Sequence, residues 1–131
     1  MTDSIRWPEL QALYGAAPVP DLSTCHFFHT HIDERGTSVT FGFETGRLPP
    51  HPKPEWSGNA YNTLRFWIEF TGVTGLRVSG ILADAERAVR ITEDGTSDHL
   101  RVSVVSDRRA ISFRAAAARV PHTRVYLQGP P

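Results

Sequence analysis

Cysteine, methionine and lysine each occur once among 131 residues. A lone Cys25 cannot close an internal disulfide, so nothing staples the chain, and a reducing, cytoplasmic setting is the expectation. Long apolar runs are also missing. The four alanines Ala115 to Ala118 are among the longest, whereas a bilayer-spanning helix needs about 20 apolar residues. The opening residues, Met1-Thr2-Asp3-Ser4, lack a basic stretch followed by an apolar one, so no secretory signal is expected. There is no net charge: 14 Lys+Arg stand against 14 Asp+Glu. A general nucleic-acid binder would be basic. The remainder is ordinary for a globular protein, with 40% hydrophobic and 21% charged residues. One domain over residues 1–131 is expected, large enough to hold a core without cross-links.

The usual signatures of catalysis are scarce as well. No Gly-x-Ser-x-Gly elbow is present. Gly72-Val-Thr-Gly75 lacks the Lys and the helix that a phosphate loop needs. Cys25 and His26 are adjacent on an expected strand and would face opposite ways, which rules out a dyad. Glu44, Glu55 and Glu69 show no spacing that singles out an acid/base pair. No cofactor is expected. One metal reading stays open. His29 and His31, at i and i+2 on a strand, would share a face, with His26 on the other, and Glu34 follows closely. The spacing resembles the His-x-His-plus-Glu set of cupins. Ser23 stands where that pattern has Gly, Glu34 comes early, and no second half supplies a fourth ligand. The plain alternative is a half-buried strand with two polar positions.

What the sequence does hold is a β pattern. Trp7, Leu10, Leu13 and Tyr14 recur at helical spacing after Pro8, and Gly15, Pro18 and Pro20 stop them, so a short helix over 7–14 is expected. Leu22 to Ile32 alternates and ends at the turn Asp33-Glu34-Arg35-Gly36. Val39, Phe41 and Phe43 continue the alternation. Leu64, Phe66, Ile68 and Phe70 form the clearest apolar face. Further runs end at Gly80-Ile81-Leu82, Glu93-Asp94-Gly95, Ser106-Asp107-Arg108-Arg109 and Leu127. Turn signals at this frequency predict a mainly β fold, α+β only by its N-terminal helix. The architecture would be an antiparallel two-layer sandwich or open barrel of about seven to eight strands.

Four prolines between Pro49 and Pro54 cannot join a central strand. That segment should be a stiff surface connection, closed by Trp56 at the edge of the core, and it could present a preset lip to a partner. Charge is unevenly spread. Residues 1–75 hold 5 basic and 8 acidic groups, and residues 76–131 hold 9 and 6. Arg101, Arg108, Arg109, Arg114, Arg119 and Arg124 would make an anion-facing patch if their strands are neighbours. Otherwise they are the wet faces of those strands.

In order, the landmarks are Leu13-Tyr14-Gly15 after a Trp-bearing helix, a strand from Leu22, and Val39-Thr-Phe-Gly-Phe43. A Pro-rich segment ending in Trp56 follows, then Asn62, Leu64, Phe66, Ile68, Phe70, Gly72-Val73 and Leu76-x-Val78-x-Gly80. This pattern is similar to the Immunity protein 50 family of bacterial polymorphic toxin systems, common in actinobacteria, over about residues 5–128. The resemblance implies a cytoplasmic, non-enzymatic antidote that binds a cognate toxin domain and blocks it stoichiometrically, as a monomer or weak homodimer. It implies no nucleic-acid or membrane partner. On that reading the expected contacts are Arg47, His51, Lys53 and Glu55 of the proline lip, and the acidic turn Asp33-Glu34. The alternative is a small metal-dependent enzyme built on His29, His31 and Glu34.

Overall fold

The computed structural model describes residues 7–80, 87–93 and 99–128. Ile81, Leu82, Asp94, Gly95 and the first residues, on which some sequence expectations fall, lie outside them. One short helix, α1 (Pro8–Tyr14), precedes eight strands. These are β1 (His26–Asp33), β2 (Ser38–Thr45), β3 (Thr63–Thr71), β4 (Thr74–Ser79), β5 (Ala88–Glu93), β6 (Leu100–Ser106), β7 (Arg109–Ala115) and β8 (Ala117–Tyr126). They form two antiparallel four-stranded sheets, in the orders β1-β2-β3-β8 and β4-β7-β6-β5. The sheets do not close into a barrel, so the sandwich expectation is the one realised.

Alternation along β3 shows why the sheets bury one face each. Leu64, Phe66, Ile68 and Phe70 are fully buried, while Arg65, Trp67 and Glu69 lie half-buried on the other side. From the second sheet Phe113 reaches across to the first. Its ring centroid is 5.8 Å from that of Phe41 and 5.2 Å from that of Phe70. Helix α1 adds Leu10, Leu13 and Tyr14 to the same core. Trp56 joins it at the edge, set against Tyr61. Pro121 sits in β8, an edge strand, where a missing ladder donor costs least.

Two expectations for the first strand are corrected. Residues Leu22–Thr24 form a 3-10 turn rather than strand, because the Asp21 carboxylate accepts from the Ser23 amide and caps the turn. The Ser23 hydroxyl then accepts from the Val89 amide at 2.9 Å and so ties the turn to the edge strand β5. His26 was expected opposite His29 and His31. A bulge at Phe28 shifts the register, pairing His26 with Glu44 and His29 with Gly42. Paired residues of an antiparallel ladder share a face, so all three histidines lie on the outer side of the first sheet.

Candidate interaction surfaces

The proline connection between β2 and β3 is held by the N-terminal segment. The Tyr14 hydroxyl donates to the Arg47 carbonyl, and the Arg47 guanidinium donates to the Pro18 carbonyl at 2.6 Å. The His51 amide donates to the Leu13 carbonyl at 2.9 Å. Lys53 lies over the Trp56 ring, 5.6 Å from its centroid. Arg47, His51 and Glu55 remain exposed and Lys53 half-buried, all along one anchored segment. Burial in this region pushes the Tyr14 phenol up to about 12, with Cys25 adding to the rise and Arg47 opposing it.

Asp33 and Glu34 sit elsewhere, at the tip of the β1–β2 hairpin. The Asp33 carboxylate accepts from the Gly36 amide at 3.1 Å and closes the turn. Beside them a shallow hollow of about 230 Å³ runs between the hairpin and the start of β4, reaching Thr74, Gly75 and Leu76. The six expected contact residues therefore fall on two separate elements, four on the proline connection and two on the hairpin tip.

The outer face of the first sheet carries a network that the sequence did not announce. Glu44 is only 6% exposed although its side chain points away from the core. It accepts from Arg65 at 2.8 Å and from the Tyr126 hydroxyl, and His26 Nδ1 lies 4.0 Å away. The Arg65 guanidinium is stacked between Phe28 and Tyr126, 4.3 Å and 4.7 Å from their centroids. Burial alone would lower the Arg65 pKa, but the bonds to Glu44 and Tyr126 outweigh it and raise the value. Tyr126 is raised too, by burial first and then by its bond to Glu44. Trp67 meets Phe28 edge-on and lies 5.0 Å from the His122 ring. Glu69 accepts from Arg119 at 2.7 Å. This face has its aromatics in contact and several of its charges paired internally. Its only advance signal was the polar-aromatic mixture opposite the apolar face of β3.

His29 and His31 are parallel, with ring centroids 6.3 Å apart. Two nitrogens on one tetrahedral metal would stand about 3.4 Å from each other, given bonds of about 2.1 Å. Among the described residues no three His, Cys, Asp or Glu side chains are placed to hold a metal together. Cys25 is a core thiol whose pKa burial pushes up to about 11.

The C-terminal arginines do not gather as one patch. Arg119 and Arg124 lie on β8 in the first sheet, and Arg108 and Arg109 lie at the β6–β7 turn. Arg101 and Arg114 are direct cross-strand partners on the second sheet. Arg77 and Arg90 join them on its outer face, around a groove of about 610 Å³.

The model of the Immunity protein 50 family matches residues 8–126, which takes in α1 and all eight strands. The chain belongs to the Immunity protein 50 family. No curated protein and no solved structure matches the chain. The family match supports an immunity function and implies a protein partner. Among the described residues no helix is long and apolar enough to cross a membrane.

Proposed function

We propose that this immunity protein neutralises a cognate polymorphic toxin in the cytoplasm of the producing cell, by stoichiometric occlusion of the toxin's active site or substrate approach. The observation that carries this reading is the family match, which spans the whole sandwich rather than a fragment of it. The surface supports it. The proline connection is fixed in advance by Tyr14, Arg47 and Leu13, so little chain entropy is lost when a partner docks on it. Arg47, His51, Lys53 and Glu55 on that connection are the proposed contacts. Asp33 and Glu34 at the hairpin tip would steer a basic toxin. No catalytic role is assigned to any residue.

The test uses the toxin domain encoded immediately upstream. Coexpression should restore growth to cells that the toxin alone arrests, and the two chains should copurify at equal stoichiometry. Absence of both rescue and complex would overturn the reading. The metal-enzyme alternative has its own outcome: a stoichiometric transition metal in the purified protein, lost in the His29→Ala/His31→Ala variant, would replace the antidote reading.

A further inference from the structure

The outer face of the second sheet has a regular plan. Across the four strands one row reads Arg90, Ser103, Ser112, Arg77. The adjacent row places Arg101 beside Arg114 at its centre. Two short serines thus form a floor, with long arginines on both sides and across one end. That size difference makes the face concave, and the resulting groove is about 610 Å³. All four arginines are exposed and both serines half-buried. Among the described residues lining the groove none is acidic. Arg101 and Arg114 stand directly across the ladder from each other.

We infer that this groove is the docking site for an acidic segment of the protein partner. Guanidinium forks take carboxylates two bonds at a time, and the serine hydroxyls supply further donors on the floor. Nucleic acid fits less well. A single strand needs aromatic rings to stack on, and the one ring among the residues lining the groove, Phe113, is buried in the core. A duplex footprint calls for more phosphate contacts than four arginines give, and the chain as a whole is neutral. Gly75 borders both this groove and the hollow under Asp33 and Glu34. The partner would therefore meet a basic trough with an acidic turn at its end, a surface that fixes orientation as well as attraction. Naming the toxin as that partner rests on the antidote reading, whereas the chemistry of the groove does not.

Two measurements on the full chain separate these. In the first, the toxin domain is titrated against wild type, Arg90→Glu/Arg101→Glu and Arg124→Glu, with circular dichroism confirming each fold. The groove variant should bind about 100-fold more weakly, while Arg124→Glu, one such charge reversal on the opposite sheet, should stay within about threefold. In the second, hexaglutamate and an oligothymidylate of equal charge are titrated while the arginine Nε–Hε signals are followed by NMR. Hexaglutamate should shift Arg77, Arg90, Arg101 and Arg114 saturably, and more tightly than the oligonucleotide does. Unchanged toxin affinity in the groove variant, or equal loss in Arg124→Glu, overturns the inference and leaves the antidote reading standing. Failure of wild type to bind the toxin, with hexaglutamate still shifting the four arginines, overturns the antidote reading and upholds the groove. Tighter binding of the oligonucleotide overturns the acidic-protein assignment.

Discussion

Glu44 is the residue whose surroundings depart furthest from what its type suggests. A carboxylate on the outer face of a sheet normally meets water. Here Arg65 and Tyr126 cover it, and Phe28 lies over Arg65 in turn. Glu44→Ala should remove about 1–3 kcal/mol of stability, read from the urea midpoint, because it strands a guanidinium held between two rings. Arg65→Lys should recover little, since an ammonium cannot stack as the planar group does. Cys25 gives a second test at this scale. Burial raises its pKa to about 11, so the folded chain holds the thiol protonated. Near neutral pH it should be inert to a thiol reagent until urea is added. The sign for stability follows. The raised value stabilises the fold below the ordinary thiol range, and that contribution is lost as pH rises toward 11, so the urea midpoint should fall over that window and fall less in Cys25→Ala.

Among the elements, α1 shows how a short helix is made useful. Seven residues would not hold a helix in isolation. Its buried face and its stop do the work. Gly15 has φ of +59° and lies under the His51 ring, where an added Cβ would come within 2.6 Å of the imidazole. Gly15→Ala should cost about 1–2 kcal/mol and loosen the proline connection, which would appear as faster amide exchange at His51. In β1 the deciding feature is the bulge at Phe28. It turns that ring onto Gly42, where an added Cβ would sit 2.7 Å from Phe28 Cζ. Glycine at 42 thus lets an aromatic lie flat across the sheet and complete the stack over Arg65.

Over the whole molecule the two sheets share one apolar core and differ in their outer faces. Phe113 links them through Phe41 and Phe70. Phe113→Ala should cost about 3–5 kcal/mol, and far-UV and tryptophan signals should still report one common transition because both sheets lean on the same cluster. The charge imbalance between the two parts of the sequence becomes a difference between faces. One sheet carries paired charges among aromatics, and the other carries four arginines around a serine floor.

Much of this was legible in the residues. Turn spacing and period-two alternation set an antiparallel sandwich or open barrel, and Trp7, Leu10, Leu13, Tyr14 and Gly15 set the helix, because local backbone preference and one-sided burial are written in the order of residues. The ordered aromatic, Gly and Pro landmarks carried the family. Pairing could not be read in this way. The bulge that brings His26 to the side of His29 and His31, the covering of Glu44 by Tyr126, and the gathering of Arg77, Arg90, Arg101 and Arg114 all depend on which strand lies beside which. Those neighbours lie from 13 residues apart, as Arg101 and Arg114 do, to 82 apart, as Glu44 and Tyr126 do, and only strand pairing and the packing of two sheets on a common core decided them.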